Sequence, residues 1–167
     1  MMATLFAALL AAAVMIGFVH RTQNKRLTLA TALLYLAAVL YLVGFLRYRA
    51  AAGGVSIRFP LPFWKAIQAR HYGMTTNRSV LNVLLFVPFG YLLPQLLRQW
   101  KGRAARWQQI VAAGFCFSLL IETGQLLFRR GVFELDDLVK NTMGAALGYG
   151  IWHILEKKAT GKNHADR

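Results

Sequence analysis

The stretch WQQIVAAGFCFSLLIETGQLLF, residues 107–128, decides the fold. Its length matches the roughly 20 residues that carry a helix across a hydrocarbon core, and its one charged side chain is Glu122. A carboxylate near a helix centre costs about 2.5–3.5 kcal/mol on the insertion scale. Glu122 therefore requires a compensating partner, a proton or a role. The chain holds only six acidic residues, and four of them (Glu122, Glu134, Asp136 and Asp137) fall within sixteen positions. Chemistry is expected where those carboxylates gather.

Outward from this segment the same pattern repeats. Apolar stretches cover residues 3–19, 27–46, 79–97 and 138–155, and 57% of the 167 residues are hydrophobic against 16% charged. That balance is too apolar for an ordinary soluble domain of this size. The reading is an all-α polytopic membrane helix bundle of about five transmembrane helices, forming one integral membrane domain over residues 1–167. The net charge of +14 comes from Lys and Arg in the connectors between apolar stretches, where they anchor spans at the headgroups. They form no basic stripe or nucleic-acid-binding motif, which excludes a nucleic-acid partner. Cys116 is the single cysteine, so no intrachain disulfide forms.

No Lys or Arg precedes Arg21, so the first stretch lacks the positive leader of a cleaved signal peptide and reads as an uncleaved span. Connectors 20–26 and 98–106 and the tail 156–167 hold eleven Lys and Arg; connectors 47–78 and 129–137 hold eight over a longer length. The density places the N-terminus outside, and the C-terminus with its basic tail 156–167 in the cytoplasm.

Connector 47–78 carries Phe59, Pro60, Pro62, Phe63, Trp64 and Tyr72 beside basic residues. It reads as an interfacial loop between the second and third spans, with a short helix from Pro62 to Arg70. The third span, SVLNVLLFVPFGYLLPQLL, contains two prolines. Pro88 cannot bond to the Leu84 carbonyl and is expected to kink or open the helix. A carbonyl freed in lipid needs a partner within protein, which places this span inside the bundle with Asn82 near the break.

Ser118, Glu122, Gln125 and Arg129 share one helical face of the fourth span, and Asp137, Asn141, Gly144 and Gly148 share one of the fifth. The latter face is polar at its outer end and small further in, so another helix can approach it closely. Asp136 and Asp137 are candidate N-caps, and Asp136 is spaced to pair with Lys140. A rise of about 1.5 Å per residue places Glu122 roughly 9 Å below the outer end of its span, with Asn141 and Asn82 each roughly 5 Å inside theirs. Asn82, Glu122, Gln125, Asp137 and Asn141 are thus expected to meet in a polar pocket below the outer surface. Interhelical hydrogen bonding alone would explain such residues as bundle glue; the convergence of three segments at one depth favours a site.

A buried glutamate tends toward a raised pKa through desolvation, which suits acid or base work, and carboxylates with amide oxygens suit Mg²⁺ or Ca²⁺. No zinc-binding spacing, Walker A loop, GxSxG or GxGxxG occurs, so the motifs point to no particular cofactor. Arg58, Arg70, Arg78, Arg129 and Arg130 surround the same mouth, a composition matched to an anionic headgroup or pyrophosphate. Taken singly, each arginine also reads as an interfacial anchor. No comparable polar cluster is apparent near the inner ends of the spans, which argues against transport.

NVLLFVPFGYLLP, SLLIETGQ and RRGVFELDDLVKNTMGAALGY together resemble the VanZ-like membrane family. The resemblance covers about residues 56–152 and rests on N-x₃-F-x-P-x-G, the intramembrane E-x₂-Q and D-D-x₃-N-x₂-G. Phe59 stands where asparagine is common, and Glu134 where aspartate is frequent. The resemblance implies a bacterial plasma-membrane protein of the cell envelope, in a family associated with resistance to teicoplanin. It singles out Asn82, Pro88, Gly90, Glu122, Gln125, Asp137, Asn141 and Gly144.

The expected function is binding, with or without chemical modification, of an anionic envelope lipid or lipid-linked wall precursor at the outer leaflet. Glu122, Asp137 and Asp136 would form the catalytic or ligand set. Asn82, Gln125 and Asn141 would position the ligand, and Arg129, Arg130 and Arg58 would hold its phosphate. The alternatives are a non-enzymatic scaffold that shields the leaflet from drug, and a small transporter or flippase.

Overall fold

The computed structural model describes residues 2–42, 54–56, 73–103, 105–128 and 132–165. Five helices dominate it: α1 (Met2–Thr22), α2 (Lys25–Tyr41), α3 (Gly73–Lys101), α4 (Trp107–Leu127) and α5 (Leu135–Ala165). Two short strands, β1 (Gly54–Ser56) and β2 (Val132–Glu134), pair in parallel with Ser56 opposite Glu134. The protein is all-helical in class, with a β bridge that the sequence reading does not contain.

Each expected apolar stretch contributes to a helix. Val80–Lys101 and Trp107–Leu127 are long and apolar enough to cross a membrane, and Leu9–Thr22 forms a shorter apolar helix. Two boundaries differ from expectation. α3 begins at Gly73, within the expected loop 47–78, and α5 continues to Ala165 through most of the expected tail. Helix-favouring residues such as Lys157, Lys158 and Ala159 extend α5 beyond its apolar part, because helix propensity does not depend on hydropathy. The short helix expected at Pro62–Arg70 lies outside the described residues.

α3 is the central element and packs against all four other helices, as its expected interior placement requires. Its contact with α5 is set by missing side chains. A Cβ on Gly144 would stand 2.2 Å from the Val83 carbonyl oxygen, one on Gly148 2.0 Å from that of Val87, and one on Gly90 2.0 Å from that of Ala145. The backbones therefore touch directly, as small residues allow when helices associate in lipid. The register (Val83 beside Gly144, Val87 beside Gly148) shows that α3 and α5 run parallel. α4 runs antiparallel beside this pair and meets α5 at Gly114, where a Cβ would lie 2.5 Å from that of Ala145. Phe86, Phe89 and Phe117 fill the adjoining space, with Phe89 and Phe117 stacked at 5.1 Å.

α3 runs through Pro88 and Pro94 without interruption. At Pro88 the Tyr35 hydroxyl of α2 donates to the Leu85 carbonyl at 2.6 Å, and the backbone of Phe89 bonds the same phenol. A side chain thus enters the ladder where proline disturbs it. The bond falls on Leu85, one residue after the Leu84 carbonyl that Pro88 cannot bond.

The α1–α2 turn consists of Gln23 and Asn24. Gln23 takes a left-handed conformation (φ 48°), and the Asn24 side chain caps α2 by accepting from the Arg26 and Leu27 amides. The Gln95 amide of α3 donates to the Gln23 side-chain oxygen at 3.0 Å, and the Trp152 indole of α5 donates to Gln95 at 2.9 Å. Arg98 pairs with Glu156 nearby. A polar cluster therefore does exist at the end of the bundle opposite Glu122, and the expectation of none there is corrected. It escaped notice because its members lie one apiece on separate elements, with no shared spacing to reveal them.

Leu10, Val14, Leu33, Leu34, Leu120, Leu127 and Ile154 all point outward. An apolar surface of this extent matches a lipid surround, consistent with a membrane protein.

Gly148→Ala should destabilise the protein by about 1–3 kcal/mol, the usual cost of overpacking. Gly150→Ala, with no atom within 4 Å of the added Cβ, should not. Thermal unfolding of both variants in detergent checks this, and equal behaviour would contradict the close α3–α5 contact.

Candidate functional site

Glu122 lies on the inward face of α4, one turn beyond Ser118 and just before Gln125, and all three are buried. With a side chain 1% exposed, Glu122 is enclosed by protein. Its Oε2 accepts the backbone N–H of Glu134 at 3.1 Å. Glu134 is the last residue of β2, immediately before α5, and β1 pairs alongside it. The β bridge thus fixes a backbone donor against the intramembrane carboxylate, which offsets part of its burial cost.

α5 supplies the facing wall. The Asn141 amide donates to the Ser118 hydroxyl at 2.9 Å within the buried interface, joining α5 to α4 one turn below Glu122. Asp137, one turn before Asn141, is also buried. Asn82 of α3 is buried as well, and the Val83–Gly144 contact places it within a turn of Asn141 along the bundle. Asn82, Glu122, Gln125, Asp137 and Asn141, expected to share a pocket, are thus all buried on three helices, and the Glu134 amide and Ser118 bond to Glu122 and Asn141 respectively.

Asp136 occupies the same first turn of α5 and pairs with Lys140, as the i, i+4 spacing predicts. Because α5 starts at Leu135, Asp136 and Asp137 lie inside its first turn and are not the N-caps. Carboxylates there still complement the helix dipole. Arg58, Arg70, Arg129 and Arg130 lie outside the described residues, and of Arg78 only the backbone, near the start of α3, is described.

Polar capacity remains in the pocket. The Gln125 Nε2 donor, the Asn141 Oδ1 acceptor and the Asp136 Oδ1 acceptor are buried without a hydrogen-bond partner among the described residues. Buried groups of this kind cost about 1–3 kcal/mol each when unsatisfied. A donor and two acceptors left over beside a carboxylate suit a small polar ligand or a headgroup.

Residues 5–156 match the VanZ/LLP1 family. The chain belongs to the VanZ-like family. The match reaches beyond residues 56–152, where the motifs lie, and takes in α1 and α2. No curated protein and no solved structure matches the chain. In this VanZ-like protein the motif positions divide by physical task. Gly90 and Gly144 permit the α3–α5 backbone contact, and Pro88 lies in the turn whose Leu85 carbonyl accepts from Tyr35. Asn82, Glu122, Gln125, Asp137 and Asn141 form the buried polar set. What sequence reasoning missed is the Glu134 amide, a backbone group that no residue type advertises. The one available signal is the β-favouring pair Val132–Phe133 ahead of it.

Because Glu134 acts on Glu122 through its N–H, its side chain is dispensable for that contact, and aspartate at this position would serve as well. Glu134→Pro, which removes the donor, should destabilise the protein by about 1–3 kcal/mol. Glu134→Ala should stay within about 0.5 kcal/mol of wild type. Denaturant unfolding in mixed micelles distinguishes the two, and an alanine variant as unstable as the proline one would overturn the backbone role.

Proposed function

We propose that this VanZ-like protein binds, and in an enzymatic version modifies, an anionic envelope lipid or lipid-linked wall precursor in the outer leaflet. The observation that carries this reading is the enclosed Glu122 carboxylate, held by the Glu134 amide, together with buried polar atoms of Gln125 and Asn141 that have no hydrogen-bond partner among the described residues. The protein is read as a single domain of five spans in the bacterial plasma membrane, N-terminus outside and C-terminus cytoplasmic. In that orientation the pocket opens toward the outer leaflet.

Within this reading Glu122 serves as acid or base, or as a ligand to the polar group. In that role it would exchange a proton or a hydrogen bond with the polar group of the bound molecule. Asp137 and Asp136 orient the ligand or share that chemistry. Gln125, Asn141 and Asn82 present amides that match a hydroxylated or amide-bearing headgroup. Arg129, Arg130 and Arg58 are assigned the phosphate because guanidinium binds it bidentately. Teicoplanin resistance is the cellular process suggested by the family's name, and the proposed ligand would lie at the membrane face where such a drug acts.

A transporter reading gains support from the polar cluster of Gln23, Gln95 and Trp152 at the opposite end. Against it, the Phe86, Phe89 and Phe117 rings and the glycine-mediated backbone contacts stand between the two polar ends. The shielding-scaffold reading places the weight on loop 47–78, so replacing that loop would impair it more than substituting Glu122.

Native mass spectrometry of purified wild type and Glu122→Gln tests the proposal. Wild type should retain an anionic lipid or precursor that the variant loses. Identical bound species in both, at equal folding, would move Glu122 to a structural role. A parallel cellular check is teicoplanin susceptibility at equal protein levels, which Glu122→Gln and Asp137→Asn should alter in the same direction.

A further inference from the structure

A second feature lies at the end of the bundle away from Glu122. Between the start of α2 and the end of α3, Leu29, Leu96, Leu97, Trp100 and Lys101 line an open groove of about 300 Å³. Its walls are apolar, and its rim is not. Lys25 Nζ lies 5.8 Å from the centre of the Trp100 ring, and the Trp100 side chain is 60% exposed. Lys101 forms part of the lining itself. The groove therefore joins a leucine floor to two ammonium groups and an indole edge.

Charge decides what fits this groove. Arg21, Lys25, Arg26, Lys101, Arg103 and Arg106 crowd this end of the bundle. Among the described residues, its one acidic side chain is Glu156, which pairs with Arg98. Neither Lys25 nor Lys101 has a carboxylate partner among the described residues, which leaves both ammonium groups suited to an anionic ligand. A tryptophan beside lysines at a span end matches the headgroup level of a bilayer, and basic pockets between helices at that level bind anionic lipid headgroups.

We propose that this groove is a binding site for one anionic glycerophospholipid of the leaflet at the α1–α2 turn. An acyl chain would lie along Leu29, Leu96 and Leu97, with the phosphate between Lys25 and Lys101. The site is separate from the Glu122 pocket and does not depend on the function proposed for that pocket. Its occupant would brace the α2–α3 contact at the end where Gln23 and Gln95 meet.

The test uses delipidated full-length protein in detergent, titrated with phosphatidylglycerol or phosphatidylcholine and followed by native mass spectrometry. Wild type should prefer phosphatidylglycerol. Lys25→Gln and Lys101→Gln, both at exposed positions, should each weaken that preference by roughly fivefold, the value of one lysine at an anionic surface. Leu97→Trp, which fills the groove, should abolish it by a route independent of charge. Glu122→Gln, whatever it loses at its own site, should still prefer phosphatidylglycerol, and that remaining preference should still depend on Lys25 and Lys101. Equal binding of the two lipids by wild type, or a preference unchanged in the double lysine variant, would overturn the proposal. Loss of the preference in Glu122→Gln would also overturn it, by placing the lipid at the opposite end.

Discussion

The approach of α3 to α5 at bare backbone is the constraint on which the rest of the structure depends. With glycine at 90, 144 and 148, the carbonyls of Val83, Val87 and Ala145 occupy the space that side chains would otherwise fill. In lipid, where apolar burial gives helices little reason to associate, close van der Waals contact of this kind is a main source of cohesion. The contact also fixes a parallel register between two helices that are not sequence neighbours. That register brings Asn82 level with Asn141 and puts α4 in position to present Ser118 and Glu122 to the same space. Move the glycine contact by one turn, and the polar residues no longer meet.

Polar groups then occupy only the places where this packing leaves room. At one end, Glu122 takes a backbone amide from the residue preceding α5, and Ser118 takes the Asn141 amide. At the other, Gln95 links the α1–α2 turn to Trp152. Between them lies a layer of phenylalanine rings, with Tyr35 bonded to the α3 backbone at Leu85, in the turn before Pro88. The two polar ends differ in kind. The Gln23–Gln95–Trp152 chain consists of neutral groups bonded in sequence across three elements, as a tie should be. The Glu122 end adds the buried carboxylates of Glu122 and Asp137, which are costly in a purely structural tie.

Much of this was legible in the residues. Helical class follows from the length of the apolar stretches, and the five-member polar set follows from faces and depths alone. The small face of α5 was visible as Gly144 and Gly148, four residues apart. Other features had no local signature. The partner helix for that face is a long-range choice, and the β1–β2 pairing joins three-residue strands with no clear alternation. The Glu134 N–H is identical to every other amide in the sequence. Gln95 sits alone in an apolar run, and its importance emerges only when Gln23 and Trp152 are seen against it. Helix ends were the least legible because α3 and α5 extend well past their apolar parts, where propensity and tertiary contact set the boundary.

The central claim is that backbone packing holds the bundle together, so that the Glu122 carboxylate serves a ligand rather than the fold. The most direct test is the thermal unfolding of delipidated Glu122→Gln, since glutamine keeps an oxygen to accept the Glu134 amide while losing the charge and the acid. A midpoint matching delipidated wild type is predicted. A large fall in the midpoint would contradict the account and make the carboxylate itself a structural member of the bundle.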